Sequence, residues 1–133
     1  MRDLPTFVVD THSLYWFRTD PQRLSPTAVA VFRLASLDEV RIIVPAIVVA
    51  ELYFLTQKVG FPIPPSVLLL DIMQSNEFVF SELGRAQLEA MEEVEAIPEM
   101  HDRLIAAEAR VHQAPIISRD EALKASGVVE VIW

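Results

Sequence analysis

Four acidic residues in this chain stand where they could do chemistry together. Asp10 ends the apolar run Phe7, Val8, Val9 and opens the polar trio Thr11, His12, Ser13. Asp120 follows the apolar "PIIS" of 115–118, and Asp102 begins an Ala- and Leu-rich stretch over 101–113. Glu51 lies inside 46–58, with Ile47, Val48, Phe54 and Leu55 at the positions that share its helical face. An ionised carboxylate on an apolar face is costly unless paired or coordinated. Carboxylates that converge also raise one another's pKa, a penalty that a hard divalent cation removes. Mg²⁺ and Mn²⁺ prefer oxygen ligands, and such an ion activates water and neutralises a phosphoryl group, as in one- and two-metal nucleases. Zinc fits poorly, because there is no cysteine and His12, His101 and His112 show no paired ligand spacing.

Each acid also has a plainer reading. Asp10 fits the N-cap of a helix starting near His12. Ser118 and Glu121 match a capping box, with Asp120 adding negative charge at a helix N-terminus. Asp102 suits a helix dipole in the same way. Glu51, mid-helix, leaves an arginine ion pair or a wet helix edge. His12 invites a general-base role, but a metal-bound water ionises near neutral pH without one. Tyr15, Trp16, Tyr53 and Phe54 have helical positions that suit core packing, with base stacking or a groove for a partner helix as the other uses.

These residues need elements to carry them. Short apolar runs predict strands at 6–10, 41–45, 78–82, 115–118 and 128–133. Between them, helices are expected as a turn or two in 11–17, then from Ser25-Pro26 to Ser36, and over 46–58, 66–74, 85–96, 101–113 and 121–126. The acidic 85–96 reads as a solvated face, and "FPIPP" (61–65) as a rigid connector. Strands alternating with helices imply a parallel sheet covered on both faces, with ligands beyond the carboxyl ends of the strands. Asp10 and Asp120 meet there if the first and fourth strands are neighbours.

With 133 residues, 52% of them hydrophobic, the chain fits one domain over 1–133 with a sizeable core. The absence of cysteine fits the cytoplasm, no run suits a membrane span, and "MRDLPTF" lacks the apolar segment of a secretion leader. A formal charge of −8 argues against broad non-specific DNA binding.

The ordered set resembles the PIN-domain family. "VVDTHSLYW" is similar to the family's opening motif, "VPAIVVAELYFL" to its second, and "HDRLIAAEARVHQAPIISRDEAL" to its third and fourth. The terminal "VVEVIW" also looks like the family's ending. The resemblance implies a three-layer α/β/α sandwich around a mostly parallel sheet and Mg²⁺- or Mn²⁺-dependent cleavage of RNA. The size is similar to the toxin of a VapBC-type toxin–antitoxin pair, which implies a homodimer and a VapB-like antitoxin as partner. Carried over, Asp10, Glu51, Asp102 and Asp120 form the catalytic, metal-holding cluster, with Thr11 and Ser118 as polar groups orienting it. Ala46 and Val49 depart from the small polar residue common before the glutamate. Glu99 stands near where many relatives carry a further aspartate. Only two lysines are present, Lys58 and Lys124, so Arg103 and Arg119, each beside a proposed ligand, are candidates for substrate phosphates. Either arginine serves equally as a solvated charge or ion pair.

Two other readings compete. Phosphoryl transfer to a strand-end aspartate is one, but His12 stands where dehalogenase-like enzymes need a second aspartate, and Arg119 where receivers need a late lysine. The other is a catalytically weak domain kept for binding or assembly.

Overall fold

The computed structural model describes residues 3–133. The first two positions of the expected domain and of the N-terminal stretch lie outside the described residues. Strand β1 (Thr6–Val9) leads into α1 (Thr11–Thr19), a 3-10 turn at Pro21–Arg23 and α2 (Pro26–Ser36). Strand β2 (Arg41–Pro45) passes directly into α3 (Ala46–Lys58), followed by α4 (Pro65–Gln74) and β3 (Phe78–Ser81). Then come α5 (Arg85–Ala90), α6 (Met100–His112), β4 (Ile116–Ile117), α7 (Glu121–Ala125) and β5 (Val131–Ile132).

All the strand pairs are parallel, in the order β3-β2-β1-β4-β5. Val8, Val9, Ile42, Val44, Ile116 and Ile117 have no exposed surface. Consecutive buried residues of this kind mark strands covered on both faces. Helices α1, α3 and α4 contact one another in series, and α5 packs on α6. Right-handed crossovers put these two groups on opposite faces, since the chain steps outward from β1 to β3 and then returns to β4 and β5. The expected α/β sandwich is therefore present, with a wholly parallel sheet.

Several boundaries differ from expectation. Helix α1 runs two residues beyond Phe17, and its C-cap N–H, from Asp20, bonds to the Trp16 carbonyl. The stretch 85–96 breaks: α5 ends at Ala90 and a 3-10 segment, Met91–Val94, carries the chain on. Gln87, Ala90 and Val94 turn inward while Glu89, Glu92, Glu93 and Glu95 stay exposed. β4 and β5 are pared to two residues each. The connector before α4 is fixed by Thr56, whose buried hydroxyl donates to the Leu52 carbonyl at 2.8 Å and accepts the Ile63 N–H at 2.9 Å. Phe17 stacks on Phe32 with centroids 4.3 Å apart and meets the edge of Phe78 at 5.7 Å.

Candidate active site

The order of the sheet creates the site. From β1 the chain goes one way to β2 and β3, then crosses back to β4 on β1's other side, so connections diverge at the carboxyl ends of β1 and β4. That divergence opens a crevice in doubly wound sheets. Val9 is in register with Ile117, so Asp10 and Ser118 leave the two strands side by side. The Asp10 N–H donates to the Ile117 carbonyl at 3.3 Å.

Asp10 and Asp120 are both N-caps and both wall residues of the crevice. Asp10 Oδ1 accepts the Ser13 N–H at 2.9 Å. Asp120 Oδ1 accepts from Ala122 N at 2.8 Å and Leu123 N at 3.2 Å. The capping box expected from Ser118 and Glu121 does not form. Asp120 is itself the cap, and the Ser118 hydroxyl accepts the Asp120 N–H at 3.0 Å. Capping uses one oxygen of Asp120; its Oδ2 accepts no hydrogen bond among the described residues. Burial pushes the Asp10 carboxyl above its usual range, against hydrogen bonds from Ser118 and Ser13 and the charge of His12. Ser118, itself buried, thus touches both aspartates.

Glu51 enters from α3. Thr11, buried at the start of α1, donates its hydroxyl to Glu51 Oε1 at 2.7 Å. No arginine ion pair reaches Glu51 among the described residues. Its face is not wholly internal either: Val48 is buried, but Phe54 is 65% exposed, which corrects the expected core role of that ring. Glu51 therefore sits at the rim of the core, with one oxygen held and one open.

Asp102 lies in the first turn of α6, where its N–H donates to Glu99 Oε2 at 2.7 Å. Its carboxylate accepts no hydrogen bond among the described residues. Burial, followed by the charges of Asp120, Glu99, Glu51 and Asp10, pushes its pKa up to about 6. The three other acids of the set are all among those charges. Glu99 is occupied as the N-cap of α6 and by His101.

All four acids line one cleft of about 510 Å³, together with Thr11, His12, Trp16, Ile105 and Arg119. A second cavity of about 340 Å³ shares Thr11, His12 and Glu51 and adds Phe54, Leu55, Lys58 and His101. The two candidate arginines separate. Arg119 borders the cleft, whereas Arg103 donates to the carbonyls of Ile97 (2.6 Å) and Glu95 (3.3 Å) and pins the segment before α6. Arg103 is not among the residues that line the cleft. Three contributors were not legible in the sequence. Ser13 is fully buried and ties α1 to β4 through the Ile117 carbonyl. Trp16 packs against Arg119. Glu108, buried on α6 away from the cleft, pairs with His112 and Gln87. Ser13 left a trace as part of the polar trio after β1, and Trp16 as a candidate for base stacking; Glu108 left none.

The donor set is all carboxylate oxygen, which suits Mg²⁺ or Mn²⁺ in kind. Among the described residues no three acidic or histidine groups are gathered closely enough to form a ready cage. A hard cation that keeps several waters and uses one or two carboxylates needs no such cage. Burial and then the neighbouring carboxylates raise Asp102, and such a cation would offset both by favouring its charged form.

The arrangement defines a doubly wound α/β domain with an acidic cleft at its switch point. The PIN domain family model matches residues 7–127, and the chain belongs to that family. Its fold is similar to that of VapBC2 from Rickettsia felis, solved bound to a DNA fragment from their promoter. There the TM-score is 0.69 at 16% identity, covering 96% of this chain and 97% of that one. DNA-bound VapBC from Salmonella typhimurium gives 0.69 at 12% identity, covering 97% and 98%. The PIN domain endonuclease Utp24 gives 0.51 at 15% identity, covering 91% and 75%. At these identities the likeness is one of fold. A search of curated proteins finds no match. Among the described residues no helix is long and apolar enough to cross a membrane.

Proposed function

We propose that the protein is a metal-dependent endoribonuclease and the toxin of a VapBC-type toxin–antitoxin pair. The observation that carries this reading is the single cleft that collects Asp10, Glu51, Asp102 and Asp120 at the switch point of the sheet. Family membership and the fold shared with VapBC proteins and an endonuclease support it. Asp10, Asp102 and Asp120, with Glu51, would hold Mg²⁺ or Mn²⁺. When bound, the cation supplies neutralisation of phosphate charge and acidification of a water. The chain's own groups do the rest. Thr11 fixes the Glu51 carboxylate, leaving Oε2 free to accept a proton from, or orient, an attacking water. Ser118 holds Asp10 and Asp120 in fixed relation, and Arg119 offers N–H donors to a phosphate oxygen. The partners are RNA, a VapB-like antitoxin and a second copy of the chain. An apolar surface supports the last two: Phe54, Val59, Phe61, Leu70 and Met73 on and between α3 and α4 are all more than half exposed.

Mn²⁺ titration by calorimetry, with cleavage of an RNA pool, tests the proposal on the wild type and on Asp10→Asn, each checked for folding by circular dichroism. Binding and cleavage by the wild type alone are expected. Cleavage retained by a clean Asp10→Asn preparation sinks the assignment. A folded wild type that binds no Mn²⁺ and cuts no RNA favours the second reading, a catalytically weak binding or assembly module. On that side stands the observation that no three acidic or histidine groups among the described residues form a ready cage.

A further inference from the structure

Among the described residues Arg119 is the one lysine or arginine that lines the acidic cleft. An arginine facing four carboxylates ordinarily closes onto one of them in a bidentate pair. Among the described residues Arg119 makes no ion pair. Its guanidinium carbon lies instead 6.0 Å from the centroid of the Trp16 ring. Trp16, on α1, is braced in turn by Trp133 at 5.9 Å and His12 at 5.6 Å between ring centroids. The other guanidinium near that indole, Arg23 at 5.9 Å, is committed to Asp20. A cation on an aromatic face spends the flat side of the guanidinium, while its N–H donors lie in the plane and stay available.

We infer that Trp16 is a positioning residue: it holds Arg119 off the cleft carboxylates, so that the arginine is presented to a phosphate of the bound RNA strand. The identity of the strand rests on the ribonuclease reading; the restraint of Arg119 does not. Without the indole, Arg119 falls onto Asp120 or a neighbour. One phosphate contact and one metal-holding carboxylate are then silenced together. The sequence hides this device, because Trp16 reads there as a core residue or a base-stacking ring, with nothing to link it to Arg119.

The test uses Trp16→Leu, Trp16→Phe, Arg119→Gln and the Trp16→Leu/Arg119→Gln double variant, each checked for folding. The probe is a fluorescein-labelled, fully 2′-O-methylated RNA dodecamer, followed by anisotropy over a salt series. Trp16→Leu is expected to weaken binding about two- to thirtyfold, the range a cation–π contact spans. Trp16→Phe recovers most of it. In the Arg119→Gln background Trp16→Leu costs nothing further, and Arg119→Gln lowers the slope of log affinity against log salt by about one. On a cleavable RNA Trp16→Leu should raise KM, through the lost phosphate contact, and also lower kcat, through the blocked carboxylate, and Trp16→Phe should restore both. Independently of RNA, the Arg119 side-chain protons should show a ring-current shift by NMR that Trp16→Leu removes. Equal losses from Trp16→Leu with and without Arg119, or no recovery by Trp16→Phe, overturn the inference. So does a wild type that fails to bind the dodecamer. A wild type that binds it with the expected coupling, yet cuts no RNA, overturns the ribonuclease reading and leaves the role of Trp16 standing.

Discussion

At the scale of single residues, burial first and neighbouring carboxylates second make charge costly in the cleft. Asp102 accepts no hydrogen bond among the described residues, and its pKa is pushed up from 3.8 to about 6. Between those two values the folded protein keeps a proton that the unfolded chain has released, so this group lowers stability as pH rises through that window. Asp102→Asn should therefore melt at a higher temperature than the wild type at pH 8, with the advantage fading towards pH 4. A thermal melt series against pH checks this, and an advantage independent of pH would contradict it. The same substitution should weaken Mn²⁺ binding. In the wild type, Mn²⁺ affinity should fall as pH drops below about 6, because ligands must shed protons to bind. Calorimetry at pH 5 and pH 7.5 reads that difference. Asp10, Asp120 and Glu51 stood out because each breaks a local pattern, a charge just beyond a strand or in mid-helix among apolar neighbours, whereas Asp102, at a helix start, breaks none. Arg103 and Arg119 were not separable, since both adjoin a proposed ligand. Packing decides between them, and a bond to the Ile97 carbonyl leaves no mark in sequence.

Elements set where those residues point. Helix starts were readable, since Ser25-Pro26 and Asp10 are caps, and caps depend on residues close in sequence. Strand ends were not, since β4 and β5 stop where their neighbours stop pairing, a matter of partners far along the chain. The break after Ala90 was missed for a related reason: Glu-rich sequence favours continued helix, but Val94 must reach the core. Thr56 shows how one side chain joins two elements. Thr56→Val keeps the volume but leaves the Ile63 N–H without its acceptor, and it should destabilise by about 1–3 kcal/mol. Urea denaturation monitored by circular dichroism measures this, and a change below about 0.5 kcal/mol would mean that water replaces the hydroxyl at small cost.

For the molecule as a whole, the adjacency of β1 and β4 was the fact that sequence left open, and everything at the site depends on it. The net charge of −8 acts at this scale too. It repels a polyanion at long range, so modest added salt should raise the association rate of RNA before competing with close phosphate contacts at higher salt. Stopped-flow binding at 20 and 150 mM salt reads this as a rate that first increases; a monotonic fall would place the approaching strand in a locally positive field.

The pairing of β1 with β4 also governs timing. Asp10 is synthesised more than a hundred residues before the strand beside it and Asp120. At roughly 5–20 residues per second, the carboxylates wait several seconds or more for their counterparts. Until then β1 has no second neighbour and the cleft has only part of its wall. A growing chain therefore passes that interval with its four acids not yet gathered into one cleft. The delay is built into the order in which the strands are written.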